Sequence, residues 1–236
     1  PRKALVDICG MPMVEHVYRR CLLAKRLDAV YICTDSPEIA AAAAKAGAKA
    51  LMTGTHHETG TDRIAEAARA LECDIVVNIQ GDEALLRPEH VDAAVAGLLG
   101  DPSCEVALLV NPFKKYGSPS DIKAVLDEQD RVLYLSRNDI PSGARTPEPG
   151  MLKAYHIVPF RKPFLLEYAG WPKGRLERIE FNEYLRILEK GRKIKAVRVE
   201  SGAVSVDTPE DLEFVRKKMA QDDLFPQYSP PRGGGE

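Results

Sequence analysis

Hydrophobic and polar residues alternate with two different periods in the N-terminal part of the chain, and this pattern predicts strands alternating with helices. Apolar residues recur every three or four positions from residue 13 to 27, which predicts a helix. The apolar segment 29–34 predicts a strand that ends at Asp35. Ser36 and Pro37 favour a helix that runs to about residue 46, because Ser accepts a free backbone amide hydrogen and Pro suits the first helical turn.

This alternation continues to about residue 99. Further strands are predicted at 50–52 and 74–80, and further helices at 62–71 and 88–99. Strands and helices that alternate at this spacing indicate βαβ units and a mainly parallel sheet.

The pattern changes in the middle of the chain. Strands are predicted there at 106–110, 123–126, 132–135 and 153–158, with few helices between them, which is typical of a mixed or antiparallel region. The remaining elements are predicted helices at 163–169 and 177–189, strands at 193–199 and 204–206, and a closing helix at 209–219.

These elements favour one α/β domain with a mixed, mainly parallel sheet. A chain of 236 residues is long enough for one large core, and we assign the domain to residues 1–226. The stretch 227–236, QYSPPRGGGE, is expected to be a disordered tail. The first residue is Pro rather than Met, and the sequence leaves open whether residues precede it in the native protein.

Composition and charge exclude several classes of protein. Hydrophobic residues make up 44% of the chain and charged residues 29%, which excludes a disordered or fibrous protein. The net charge of -2 gives no general attraction to nucleic acid or to an anionic membrane, so neither is an expected partner. No apolar run reaches the roughly 20 residues of a membrane span. The five cysteines are widely spaced, which fits reduced thiols in a cytoplasmic protein.

Aspartates follow several of the predicted strands. The segment VVNIQGDE at 76–83 puts Asp82 directly after an apolar strand, and Asp207 and Asp35 follow strands in the same way. Open α/β sheets bind ligands at the carboxyl ends of their strands, so Asp82 and Asp207 are candidates to share one divalent ion that holds a nucleoside triphosphate. Alternatively, each acid merely caps the next helix, since DTPEDL at 207–212 is a good capping sequence.

The polar loop HHETGTDR at 56–63 leads into a predicted helix. Backbone amides at a helix start, together with Arg63, favour an anion such as a carboxylate. Alternatively, Thr61 only caps the helix and Arg63 is solvated. His56 and His57 are metal-ligand types, but no third ligand is spaced to join them, so we expect no zinc site here.

Other charged residues are weaker candidates. Lys3 is of a type that binds phosphate, although a terminal lysine is usually just solvated. Arg137 follows a strand end, from which it either reaches the same pocket or only pairs with a surface acid. Glu177, Glu180 and Glu183 lie three apart on one face of a predicted helix, and such a face is usually solvated. The GxxxxGK[ST], GxGxxG and GxSxG motifs are absent, which removes the commonest ATPase, dehydrogenase and hydrolase interpretations.

Taken together, the motifs resemble the CMP-sugar synthetases, a family of cytidylyltransferases. The resemblance rests on KALVDICGMPMVEHV at 3–17, ICTD at 32–35, HETGTDR at 57–63, VNIQGDE at 77–83, IKAVLD at 122–127, LYLSRNDIP at 133–141, LERIEFNEYLRILEKGRKI at 176–194 and VDTPEDLEFVRKKM at 206–219. These segments follow the family order over most of the chain. HETGTDR, NIQGDE and VDTPEDLE in combination are highly specific, whereas each alone is weak.

The resemblance implies a Rossmann-like nucleotidyltransferase fold, with a smaller dimerisation region inserted at about 106–170, and a homodimer. The implied reaction joins CTP to the anomeric hydroxyl of a 2-keto-3-deoxy sugar acid, 3-deoxy-manno-octulosonate (KDO). The products are CMP-KDO, used in lipopolysaccharide biosynthesis, and pyrophosphate. The implied cofactor is Mg²⁺.

Roles for individual residues follow from the matching positions. Asp82 and Asp207 match acids that hold Mg²⁺, and Lys3 matches a lysine that neutralises phosphate, so these three are the implied catalytic residues. The implied nucleotide-binding residues are Lys3, Asp35 and Gln80. The implied sugar-binding residues are Thr61, Arg63, Arg137, His156 and Glu183.

The chain departs from the family pattern at three places. The family's first strand, with its Arg- and Ser-containing phosphate loop, precedes the segment that begins at Pro1. Ala154 stands where the family has a sugar-contacting His, for which His156 is the expected replacement, and Tyr184 stands where it has Gln. Three alternatives therefore stay open: transfer to another 2-keto sugar acid (amino-KDO or a nonulosonic acid), transfer to a sugar or polyol phosphate, and a non-catalytic nucleotide-binding protein.

Overall fold

The computed structural model describes residues 3–146, 150–202 and 204–229. The chain divides into two compact units, which are considered separately below. Unit 1 comprises Pro1–Thr53, Gly81–Glu89 and Ala203–Glu236. Unit 2 comprises Gly54–Gln80 and His90–Gly202. The predicted single domain with an insertion at about 106–170 stays a prediction.

The elements follow one another with strands and helices interleaved. The strands are β1 (Asp7–Ile8), β2 (Met11–Pro12), β3 (Tyr31–Thr34), β4 (Lys49–Met52), β5 (Ile75–Ile79), β6 (Val106–Phe113), β7 (Lys123–Leu126), β8 (Val132–Ser136), β9 (Met151–Tyr155), β10 (Ile157–Arg161) and β11 (Ile194–Arg198). The helices are α1 (Met13–Cys21), α2 (Pro37–Lys45), α3 (Gly60–Ala68), α4 (Pro88–Gly100), α5 (Lys162–Ala169), α6 (Arg175–Glu180), α7 (Leu185–Glu189), α8 (Pro209–Met219) and α9 (Phe225–Tyr228), and a short 3₁₀ turn covers Lys3–Leu5.

Unit 1 is built from short strands and the helices that cover them. Strands β1 and β2 form an antiparallel pair, whereas β3 and β4 pair in parallel, as expected for strands joined by helix α2. Ser36 caps α2 by accepting a hydrogen bond from the Ile39 amide, and Pro37 is its first residue, as predicted. One apolar core of unit 1 contains Ile8, Met13, Ala84, Val206, Val215 and Met219.

Unit 2 contains a larger sheet with strand order β5-β10-β6-β9-β7-β8, and β11 pairs with β6. Its core is formed by apolar side chains of the sheet and of the helices packed on it, including Val106, Val158, Phe160, Phe164, Tyr168 and Leu185. Helix α4 approaches β11 closely at Gly97, where a Cβ atom would lie 2.2 Å from a methyl carbon of Val197. Only glycine permits that approach.

The α/β class is as predicted, but one detail of the pairing differs. Within the described residues, β11 pairs with β6 in parallel, while the other pairs of the large sheet are antiparallel. Parallel pairing was inferred from helical crossovers in the first hundred or so residues. Most neighbours in the large sheet come instead from the middle of the chain, where short connections favour antiparallel pairs.

Three predicted elements are shortened or interrupted at identifiable residues. The helix predicted at 13–27 ends at Cys21, because the amides of Leu23 and Ala24 turn back to the carbonyls three residues earlier. The strand predicted at 153–158 is interrupted at His156, which separates β9 from β10. The helix predicted at 177–189 is interrupted at Phe181, which has a left-handed backbone with φ 50°.

The strand predicted at 204–206 is wrong as well. Residues 204–207 have no assigned strand, and a single backbone bond of 3.2 Å joins the Val206 amide to the Asp82 carbonyl. The tail predicted at 227–236 begins too early, since Gln227 and Tyr228 belong to α9. Residues 230–236 of that tail lie outside the described residues. Across the described ranges, the helices are too short or too polar to span a bilayer.

Candidate active site

Lys3 joins Asp82 and Asp207 in unit 1. Its Nζ donates hydrogen bonds to Asp82 Oδ2 at 2.8 Å and to Asp207 Oδ1 at 2.9 Å. Lys3 begins the 3₁₀ turn, Asp82 follows β5 by three residues, and Asp207 lies just before the N-cap of α8. The two carboxylates, 125 residues apart in the sequence (207 minus 82), therefore converge on one cationic group, and their predicted role as ligands of a shared divalent ion stays a prediction.

The capping alternative for Asp207 does not hold. The N-cap of α8 is Thr208, whose hydroxyl accepts a hydrogen bond from the Asp211 amide at 3.1 Å. The Asp211 carboxylate in turn accepts from the amides of Asp207 and Thr208. The helix start is thus satisfied by Thr208 and Asp211, and the Asp207 carboxylate is directed to Lys3 instead.

The electrostatics of this cluster favour a charged lysine. Partial burial acts to lower the pKa of Lys3, but hydrogen bonds and charge attraction from Asp82 and Asp207 outweigh it, and the pKa is raised above its usual value. The Lys3, Asp82 and Asp207 side chains remain 45%, 27% and 62% exposed, so a ligand in solution can reach them.

The donor set suits a hard divalent cation. Carboxylate oxygens are the ligands that Mg²⁺ prefers, and it commonly takes one or two of them together with substrate phosphates. Asp82 and Asp207 already converge on a single positive charge, and both are exposed to solvent. The residues present therefore fit a magnesium site with Asp82 and Asp207 as its protein ligands.

The two predicted nucleotide-binding residues besides Lys3 lie in different units. Asp35 follows the end of β3 in unit 1 and is half-buried. Gln80 follows the end of β5 in unit 2, where its amide donates to Asn78 Oδ1 at 3.3 Å. A Cβ atom at Gly60 would lie 3.1 Å from the Gln80 side chain, so the glycine of the HETGTDR loop leaves room for this amide.

A buried polar network in unit 2 contains two of the predicted sugar-side residues. The Thr61 hydroxyl donates to Glu183 Oε1 at 2.7 Å and accepts from Asn78 Nδ2 at 2.8 Å. The hydroxyl of Tyr168 donates to the Glu183 carbonyl at 3.0 Å. Thr61 does not cap α3; Thr59 does, by accepting from the Asp62 amide at 3.1 Å. The capping alternative for Thr61 is therefore wrong.

Glu183 lies in the interruption between α6 and α7, not on a continuous helix face. Burial raises its pKa above the ordinary value, and hydrogen bonds from Thr61 and Thr59 oppose that shift. Glu177 and Glu180 have separate roles. Glu177 forms a bidentate ion pair with Arg186, with two contacts of 2.8 Å, while the Glu180 carboxylate accepts from Ser136 and from the Arg137 amide. The prediction of one solvated glutamate face is wrong.

The other sugar-side residues occupy distinct positions in unit 2. Arg63 lies on α3, and its guanidinium group donates to the Gly54 carbonyl at 3.4 Å. The Arg137 guanidinium group donates to the carbonyls of Pro119, Glu180 and Phe181, so it stabilises the end of α6. Because these contacts are all to backbone carbonyls, a role for Arg137 in binding the sugar stays a prediction.

His156 and Tyr184, which both belong to departures from the family pattern, lie next to each other in the structure. The His156 ring lies 5.8 Å from the ring of Tyr184, measured between centroids. Tyr184 is buried, its side chain interacts with Thr61 and Asn78, and burial raises its pKa. Ala154 is buried in β9 opposite Val110. His156 and Tyr184 therefore adjoin the same polar network as Glu183.

Sequence reasoning missed two polar residues. Asn78 is buried within β5 and links Thr61 to Gln80. A single amide inside the apolar strand VVNIQ was the available signal. Glu66 was missed as a partner of His56 and His57, since the three offer ligand atoms within 4.8 Å of one another. The expectation that no third ligand joins these histidines is wrong, because the loop before α3 turns back onto that helix.

Comparisons with known proteins agree with this geometry. A chain from Syntrophobacter fumaroxidans called 3-deoxy-manno-octulosonate cytidylyltransferase is 45% identical over 231 residues, which cover 94% of this chain and 92% of that relative. A protein of the same name from Escherichia coli is 37% identical over 224 residues, with 94% and 91% covered.

Solved structures give the same result. A CMP:2-keto-3-deoxy-manno-octonic acid synthetase complexed with CTP has a TM-score of 0.90 at 37% identity, and covers 94% of this chain and 92% of its own. A 4-diphosphocytidyl-2C-methyl-D-erythritol synthase, at 14% identity and a TM-score of 0.61, shares the fold alone. The fold is thus the Rossmann-like nucleotidyltransferase fold. A family model described as Cytidylyltransferase matches residues 1–194, and the chain belongs to the cytidylyltransferase family.

Proposed function

We propose that this chain transfers the cytidylyl group of CTP to the anomeric hydroxyl of KDO and so serves lipopolysaccharide biosynthesis. The observation that carries this proposal is the convergence of Lys3, Asp82 and Asp207, which lie far apart in sequence. It is supported by relatives whose names specify this acceptor and by a similar structure with bound CTP. The hydroxyl oxygen would attack the α-phosphorus, the bond from that phosphorus to the α,β-bridging oxygen would break, and pyrophosphate and one proton would be released.

On the phosphate side, the chemistry needs charge neutralisation more than covalent participation. A sugar acid carries a negative charge and must approach an anionic phosphate, so cationic groups lower the barrier. Asp82 and Asp207 would hold Mg²⁺, which supplies positive charge to the phosphates when bound. Lys3, kept protonated by both acids, would donate hydrogen bonds to a phosphate oxygen. Asp35 and Gln80 are assigned to the nucleotide.

On the acceptor side, we assign the polar residues of unit 2. Arg63 and the amides at the start of α3 suit the carboxylate of a sugar acid. Thr61 and Glu183 are already fixed by hydrogen bonds, which suits recognition of sugar hydroxyls. His156 and Arg137 complete this set. We favour KDO as the acceptor because the similar chains with this name span nearly the whole sequence.

Assembly and location are part of the same proposal. We assign a homodimer, because Leu133, Ile179 and Phe181 of unit 2 expose 58%, 61% and 79% of their surfaces, and exposed apolar residues favour a protein interface. We assign a cytoplasmic location, because none of the five cysteines, all within the described residues, forms a disulfide, which suits a reducing compartment.

The proposal is tested by measuring pyrophosphate release with the full-length native protein, CTP and Mg²⁺. Acceptors would be KDO, amino-KDO, N-acetylneuraminate, an aldose phosphate and none. We expect release with KDO well above the others, and loss of that release in Asp82→Asn. Equal release with an aldose phosphate would contradict the acceptor assignment. Release only with amino-KDO or N-acetylneuraminate would show that His156 and Tyr184 select a different keto acid.

A further inference from the structure

The loop before helix α3 brings two histidines and a glutamate together. His56 and His57 lie in this loop, and Glu66 lies on α3, all within unit 2. One ligand atom from each residue lies within 4.8 Å of the others. None of the three belongs to the residues assigned above to CTP, Mg²⁺ or the sugar acid.

The histidine rings share one side of the loop, because the chain turns at residues 55–56. Adjacent side chains of an extended segment point in opposite directions. Here the ring centroids of His56 and His57 lie only 4.2 Å apart, with the planes tilted by 39°. His57 Nε2 directly contacts Glu66 Oε2. The backbone has therefore already directed three potential ligands toward one point.

Gly54 makes this arrangement possible in two ways. A Cβ atom at this position would lie 2.4 Å from the His56 ring, so a larger residue would displace that ring. The Gly54 amide also donates to both oxygens of Glu66, at 3.1 and 3.3 Å. Such a hydrogen bond orients a carboxylate ligand, as supporting residues do in known metal sites.

We propose that His56, His57 and Glu66 form a binding site for a divalent transition metal ion of the Zn²⁺ type. Two imidazoles and one carboxylate form a ligand set that favours Zn²⁺ over Mg²⁺. Tetrahedral zinc needs its ligand atoms about 3.3 Å apart, and the ligand atoms of these three residues already lie within 4.8 Å of one another. Three protein ligands leave a fourth position for water.

The site is tested by equilibrium dialysis of the full-length protein against Zn²⁺ in excess Mg²⁺, followed by metal analysis. We expect one zinc per chain in the wild type. His56→Asn and Glu66→Gln are expected to weaken binding at least about tenfold. Glu58→Gln is the matched control, because Glu58 is an exposed acid of the same loop that pairs with Lys173, and it should bind zinc as the wild type does.

A second readout separates this site from cysteine binding. Co²⁺ bound by imidazole and carboxylate gives visible ligand-field bands without thiolate charge-transfer bands, whereas binding at Cys9 or Cys73 would produce the latter. Zinc should also raise the Tm of the wild type but not of His56→Asn, since a ligand of the folded state stabilises it. Absence of zinc binding, or equal zinc affinity in the wild type, His56→Asn and Glu66→Gln, would overturn the proposal.

Discussion

Thr61 and Glu183 are 122 residues apart in the sequence, yet the Thr61 hydroxyl donates a 2.7 Å hydrogen bond to Glu183 Oε1. Thr61 is fully buried, and the same oxygen accepts a hydrogen bond from Asn78. One hydroxyl therefore satisfies the buried Asn78 amide and the half-buried Glu183 carboxylate, and fixes the position of that carboxylate.

Thr61→Val is expected to destabilise unit 2. The substitution keeps the shape of the side chain but leaves the Asn78 amide and the Glu183 carboxylate without this partner, at a cost of about 1 to 3 kcal/mol. Urea unfolding of the wild type and the variant measures the difference. Thr61→Ser retains the hydroxyl, so its free energy of unfolding should fall clearly less than that of Thr61→Val. Equal losses of stability in both variants would argue against the hydrogen bond as the cause.

Ionisation of Glu183 should make stability depend on pH. Burial raises its pKa in the folded state above the ordinary 4.5, so the folded protein holds this proton more tightly than the unfolded chain. The contribution of Glu183 is therefore fully present below about pH 4.5 and is lost as pH rises through the folded-state pKa. The wild type should lose stability relative to Glu183→Gln over that range, as measured by unfolding at several pH values. A stability of the wild type, relative to Glu183→Gln, that stays constant or increases with pH would contradict this.

Lys3→Met should separate catalysis from stability. Removing a cation that is directed at developing phosphate charge is expected to lower kcat/KM about 100-fold or more. The free energy of unfolding should change by no more than about 1 kcal/mol, because Lys3 is 45% exposed and exposed ion pairs contribute little. Lys217→Met, at an exposed position of α8, makes the same charge change and should leave both quantities near the wild-type values.

Glu177→Gln should be costly for the opposite reason. Glu177 and Arg186 are both nearly inaccessible to solvent, with side-chain exposures of 6% and 3%. Removing one charge leaves the other buried without its partner, which costs about 3 kcal/mol. Glu213→Gln removes an exposed acid paired with Arg216 and should cost about 0.5 kcal/mol or less. Similar losses in the two variants would show that burial does not govern the Glu177 pair.

The alternation of strands and helices could be predicted because it depends on local periodicity and on local caps. Ser36 and Pro37 mark the start of α2 by chemistry that requires no distant contact. The convergence of Asp82 and Asp207 was also predictable, because both follow apolar segments at the same kind of position.

The interruptions could not be predicted, because distant residues cause them. Helix α6 ends at Glu180, where the Arg137 side chain donates hydrogen bonds to the carbonyls of Glu180 and Phe181, and the Arg137 amide donates to the Glu180 carboxylate. Local sequence there remains compatible with a helix. The break between β9 and β10 at His156 could not be predicted from the sequence either, because apolar residues continue on both sides of it.

His156→Ala should affect the acceptor and not the nucleotide. His156 adjoins Tyr184 and the Thr61 network, which we assign to the sugar acid. The KM for KDO should rise severalfold while the KM for CTP stays within about twofold, since the loss of one uniform binding contact raises KM without changing the chemical step. Steady-state kinetics with each substrate varied in turn gives both values. A larger change for CTP would assign His156 to the nucleotide instead.

Phosphorus NMR of the full-length native protein with CTP, Mg²⁺ and KDO identifies the bond that forms. We expect the three CTP resonances to be replaced by one phosphodiester signal and the pyrophosphate signal, with no change when KDO is omitted or when Asp82→Asn is used. CTP that persists with KDO present, or that yields only free CMP, would contradict cytidylyl transfer to this acid.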